Sequence, residues 1–233
     1  MSTVYDAIYG NMIGQLQGCS HLKFEDGTNH DILANEYFNT SDIFNIERAI
    51  CNSIANLKAI DLPIIMDRLT HMKHTSDAQD GDVLCWIFPI GFFTIYNHAG
   101  SMSENVAAIC NVTHSYEPTK LVCIEYVRLI HDIFWKYVTP KDLLKILPEL
   151  DILAGDVKVS RDARDVFFGA LWAFVHSTDF CSALNNVREL NPSNNWISCV
   201  TGTIAGLYYG IADMPETWIE TSGIEPYIQQ IIF

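Results

Sequence analysis

Glycine at every fourth position, in two separate stretches, constrains this chain more than any other feature. Gly10, Gly14 and Gly18 recur near one end, and Gly202, Gly206 and Gly210 near the other. Four-residue spacing puts each trio on one face of a helix. A glycine costs roughly 1 kcal/mol against alanine in a helix interior. Three on one face therefore need compensation, which close approach of another helix or of a ligand supplies. The simplest expectation is two helices packed against each other along their glycines. The second stretch is headed by Asn191-Pro-Ser-Asn-Asn195, a polar cluster of good N-cap residues.

Composition narrows what such a packed core can serve. Hydrophobic residues make up 49% of the 233 and charged residues only 18%, which is a well-buried globular balance. A formal net charge of -14 leaves no basic patch to neutralise phosphates, so nucleic acid is excluded as a partner, and an anionic membrane surface is disfavoured. The longest apolar run, Val83 to Tyr96, contains Pro89 and is too short to cross a bilayer. The first residues lack the basic and apolar regions of a signal peptide. Seven dispersed cysteines, none in C-x-x-C spacing, read as buried free thiols of a reducing, cytoplasmic compartment.

Along the chain, helical spacing predicts a helix from Val4 to Gly18, a long polar loop over 19–39, and a helix opened by Thr40-Ser41-Asp42. Further helices are expected from Leu62 to Met72, after Ser101 or Ser103, from Thr119 to about Val138, from Pro140 to Leu147, after Ser160, and from Phe180 to Leu190. Val83 to Tyr96 reads as a buried segment broken at Pro89 and Gly91. No sustained strand-type alternation occurs and no Gly-, Ser- or Pro-rich linker divides the chain. The expectation is one all-α domain over residues 1–233. His114 and His176 lack partners at metal spacing and are expected in turn or surface roles.

Four segments, in order, resemble the ADP-ribosylglycohydrolase family. Gly10-Asn-Met-Ile-Gly14-Gln-Leu-Gln-Gly18 is similar to that family's opening G-x-L-x-G-x-A-x-G-D helix, and Thr40-Ser-Asp-Ile43 stands where it has T-D-D-T. Asp82 to Gly91 resembles the G-x-x-M-R-x-x-P-L-G segment, with Thr113-His114 at its T-H. Ala170-Leu-Trp-Ala-Phe174, the second glycine stretch and Pro215-Glu-Thr-Trp218 match A-L-x-A-F, G-G-D-T-D-T followed by G-A-x-A-G-x-x-Y-G, and I-P-x-x-W. The resemblance implies a compact orthogonal multi-helix domain. It also implies cleavage of glycosidic bonds to ADP-ribose, with two magnesium or manganese ions held by the acidic motifs. Two hard divalent cations in one pocket need several carboxylate oxygens.

Here those carboxylates are mostly replaced. The two aspartates of D-T-D-T fall on Ser193 and Asn195 and its last threonine on Trp196; Ser41 and Ile43 interrupt T-D-D-T, and Cys19 replaces the aspartate of G-D. The resemblance leaves Asp42 as the one candidate metal ligand, and Asp26, beside Glu25, as the acidic residue near the scissile bond. The remaining candidate ligand contacts are Thr40, Ser41, Asp42, Gly81, Ser193, Asn194 and Asn195. Gly81 belongs to Asp80-Gly81-Asp82, at the family's diphosphate loop, where two carboxylates would repel a diphosphate, and Trp86 replaces the following arginine. Each has a plainer reading: Asp42 as a helix-dipole partner, and Ser193 to Asn195 as caps. The leading expectation is a catalytically inactive relative that binds an ADP-ribose-like small molecule or a protein partner in the remnant cleft, without cofactor. The alternatives are a weak hydrolase using Asp42 with Asp26 or Glu25, with magnesium or manganese, and a decoy that sequesters an ADP-ribose-derived signal or a host protein.

Overall fold

The structure, a computed structural model, describes residues 4–20, 79–92, 102–190 and 195–231. These form α1 (Val4–Ser20), α2 (Asp82–Ile87), α3 (Met102–Thr113), α4 (Glu117–Phe134), α5 (Pro140–Ile146), α6 (Ala163–Val175), α7 (Phe180–Leu190), α8 (Trp196–Tyr209), α9 (Glu216–Ser222) and α10 (Glu225–Ile231). Single 3-10 turns lie at Pro148–Leu150, Ala154–Asp156 and Ile211–Asp213. No strand occurs among the described residues; Asp80 and Asp162 form an isolated antiparallel bridge. The expected helices over 40–54 and 62–72 and the loop over 19–39 lie outside the described residues, apart from Cys19 and Ser20, which end α1.

Helix α8 is the axis of the molecule. Every residue from Trp196 to Leu207 is buried, which makes it a helix covered on all sides. Its neighbours are α1, α2, α4, α6 and α7, with α1 alongside it over the longest stretch. The two backbones approach as the glycine spacing predicts. A Cβ built on Gly10 would lie 2.0 Å from the Gly202 carbonyl oxygen, and one on Gly202 would lie 2.0 Å from that of Gly10. Gly14 abuts the Ser198 carbonyl at 2.2 Å in the same sense, and Gly206 that of Asp6 at 2.3 Å. Only glycine permits this contact.

Gly210 departs from the expectation. Its φ of 85° ends α8, and nothing lies within 4 Å of where its Cβ would be, so the third glycine terminates the helix instead of packing it. A buried polar network crosses the same seam. Asn11 donates to the Cys85 carbonyl and to Thr203 Oγ1, both at 2.9 Å, and accepts from Gln15. Those bonds tie α1 to α2 and α8, so Asn11 sets which faces meet as well as how closely.

Local chemistry explains most helix ends. Thr139 and Asp142 form a capping box at α5, with Pro140 in the first turn. Helix α4 stops at Phe134, short of the expected Val138, because Lys136 takes a positive φ of 58°. Ser103 lies inside α3 and so cannot cap it. Asp162, not Ser160, caps α6 by accepting from the Arg164 N–H at 2.9 Å; Ser160 instead accepts from Asp162 N–H and donates to Asp165. The free cysteines among the described residues are Cys85, Cys110, Cys123 and Cys199, all buried, and the partly buried Cys181. No helix among the described residues is long and apolar enough to cross a membrane.

Candidate functional site

The described part of the site is where three chain segments meet: the 79–82 loop, the residues leading into α6, and the head of α8. Backbone pairing holds the first two together. Gly81 N–H donates to the Arg161 carbonyl at 2.8 Å, and Ala163 N–H donates to that of Gln79 at 2.9 Å. Gly81 is buried, and a Cβ there would lie 2.6 Å from a Val166 methyl, so glycine is required for the loop to reach α6. Asp162 lies at this junction. Its partial burial pushes the carboxyl pKa up, but hydrogen bonds and charge from Arg164 outweigh that and hold it below the usual range.

Arg161 joins the third segment. Its guanidinium lies over the Trp196 ring, 4.7 Å from the centroid, and its Nη2 lies 3.6 Å from an Asp80 carboxylate oxygen. The side chain remains 65% exposed, so most of its donors face water. Trp196 is buried and opens α8, directly after Asn195. Asn195 occupies the N-cap position but makes no side-chain capping hydrogen bond. Sequence reasoning missed Arg161. The signal available was local: Lys158, Arg161 and Arg164 place three of the chain's fourteen basic residues within seven positions.

The two loop carboxylates have separate fates. Asp80 faces outward against Arg161, whereas Asp82 turns inward as the first residue of α2. His114 is fully buried: its Nε2 lies 2.9 Å from Asp82 Oδ1 and its Nδ1 2.9 Å from Thr113 Oγ1. His114 sits just past the end of α3, but in an isolated β-bridge and not a turn, and it is internal, not at the surface. The expectation that both aspartates would press on a diphosphate is corrected, because one is paired inside the core. Trp86 likewise fills the core, with no exposure. Nearby Cys123 is buried. Burial, and then its hydrogen bond with Cys110, push its thiol pKa well up, away from the thiolate.

Of the sequence-derived candidates, the structure describes Gly81 and Asn195 and brings their segments together through Arg161 and Trp196. Asp26, Thr40, Ser41, Asp42, Ser193 and Asn194 lie outside the described residues. Among the described residues, no group of three or more His, Cys, Asp or Glu side chains is arranged to hold a metal ion.

Comparison with known proteins agrees with this architecture. The family model for ADP-ribosylglycohydrolase matches residues 19–231. Over 67 residues, 29% of this chain, the sequence is 30% identical to ADP-ribosylarginine hydrolase Tri1 of Pseudomonas putida (strain GB-1). That match spans only 18% of the hydrolase's length. A solved structure of an ADP-ribosylglycohydrolase-related protein complex superposes with a TM-score of 0.74 at 15% identity, covering 97% of this chain and 94% of that one. At that identity the likeness is one of fold, and the fold is the all-α arrangement expected.

Proposed function

The chain belongs to the ADP-ribosylglycohydrolase family, and from that premise we propose that it is a catalytically inactive member that binds an ADP-ribose-like ligand in the remnant cleft. The reading is carried by the head of α8. Magnesium and manganese take oxygen donors, carboxylates above all. Where the family places its second acidic motif, this chain offers Ser193, Asn195 and Trp196. An indole has only an N–H donor and no lone pair for a cation, and Trp196 is buried beneath a guanidinium. A cation 4.7 Å above that ring further opposes a divalent ion at the same spot. These residues do not fit a two-metal centre. With Asp42 as the one acidic ligand retained at the two motifs, neither activation of water nor charge balance on a ribose oxygen has its usual source.

Ligand binding needs less than catalysis. Hydroxyl and amide groups at Ser193, Asn194 and Asn195 suit ribose hydroxyls, as do the hydroxyls of Thr40 and Ser41 and the carboxylate of Asp42. The test is calorimetry of the purified protein with manganese and with ADP-ribose, beside an assay for ADP-ribose release from ADP-ribosylated arginine. Binding of ADP-ribose with neither manganese binding nor release is expected. Low-micromolar manganese binding, or release abolished by Asp42→Ala, would overturn the inactive reading and favour a weak hydrolase. A thermal shift with no nucleotide would favour a protein partner instead.

A further inference from the structure

Arg161 is the described side chain best placed to meet a phosphate at this site, and we propose that it is the anion contact that serves the cleft in place of metal charge. The proposal rests on the ligand reading above and specifies which end of the ligand this chain holds. Three observations converge on the residue. Its guanidinium lies over the Trp196 ring, 4.7 Å from the centroid, which anchors the end of a long side chain beside the head of α8. Its backbone carbonyl is fastened to Gly81, so the side chain starts from a strapped position beside the 79–82 loop. Its side chain is 65% exposed, and its one ion-pair contact, to Asp80, is long at 3.6 Å.

A loose, exposed ion pair contributes little. Exchanging Asp80 for a phosphate oxygen therefore costs little and gains a bidentate, charge-assisted contact. The charges around Arg161 support this reading. Asp162 is engaged by Arg164 and Asp165 by Lys158, which leaves Asp80, among the described residues, as its competitor for an incoming anion.

The test is calorimetry with ADP-ribose, inorganic pyrophosphate and adenosine on the parent protein and three variants. Arg161→Ala should weaken ADP-ribose and pyrophosphate by at least about tenfold and leave adenosine unchanged. Arg161→Lys should recover part of the loss, and Asp80→Asn should tighten both phosphate ligands by removing the competing carboxylate. A purely structural role for Arg161 predicts the opposite sign for Asp80→Asn, since that variant also breaks the ion pair. The proposal is overturned if Arg161→Ala binds ADP-ribose like the parent, or if adenosine is lost in parallel. Pyrophosphate binding that depends on Arg161, without ADP-ribose binding, would sink the nucleotide reading alone. Failure of the parent to bind either would sink both.

Discussion

Replacing Gly202 with alanine tests the central packing claim directly. The added Cβ would sit 2.0 Å from the Gly10 carbonyl oxygen, where ordinary contact begins at 3.4 Å. Because the obstacle is backbone, no rotamer change relieves it, and α1 and α8 must part by about 1.4 Å, the difference between those distances. Overpacking of a core costs about 1–3 kcal/mol where side chains can shift; here whole helices must shift and lose dispersion contacts along the seam. The gain in helix propensity, about 1 kcal/mol, offsets only part of this. We expect a net loss of about 3 kcal/mol or more, a fall in Tm of roughly 6–12 °C for a chain of this length. Urea unfolding followed by circular dichroism would measure it. Gly155→Ala, with nothing within 4 Å of the new Cβ, is the control, expected within about 0.5 kcal/mol of the parent. The double variant Gly10→Ala/Gly202→Ala should lose less than the sum of the singles, because one separation of the helices relieves both clashes. A Gly202→Ala protein as stable as the parent would refute the reasoning.

Two further perturbations probe other parts of the fold. Asp82→Ala removes the carboxylate from buried His114 Nε2 and should cost about 1–3 kcal/mol, read as a lower urea midpoint with unchanged m; no change would show that the pair contributes nothing. At the start of α7, Asp179 Oδ1 accepts from the Ser182 N–H at 2.7 Å and Ser182 Oγ accepts from the Asp179 N–H at 3.0 Å. The Ser182 backbone N–H is the main reason that the Asp179 carboxyl pKa lies below the usual range. A pKa depressed on folding contributes stability that is present above the unfolded value, roughly 3.9, and lost as pH falls through the folded value. Asp179→Ala should therefore cost about 1 kcal/mol at neutral pH, with the difference from the parent closing below roughly pH 4. A difference independent of pH would count against the charged cap.

Much of this was legible in the chain because it is local. Helix class and the glycine period depend on neighbours within four positions, so residue spacing reports them. The end of α4 was misjudged because apolar residues continue past Phe134, while the positive φ at Lys136 has no local signature such as glycine or asparagine. Ser160 and Asp162 are both competent caps in sequence; which one served depended on the backbone pairing of Gln79 with Ala163, far along the chain. At the site, that positions 193, 195 and 196 are Ser, Asn and Trp is a matter of residue identity and needed no structure to read.

What the sequence by itself determined is the scaffold and the residue types at the head of its central helix. Glycines at four-residue spacing must share a helix face, and a serine, an asparagine or a tryptophan cannot supply a carboxylate. What only the tertiary structure decided is pairing between distant segments. It sent Asp82 inward to His114 and left Asp80 outside, though the two stand on either side of one glycine. It assigned Gly202 and Gly206 to α1 and Gly210 to the helix end. It also laid Arg161 across Trp196, at the head of the helix those glycines allow to be central. The physical reason is the same throughout: spacing fixes direction along one element, whereas distance between elements is set only when their faces meet.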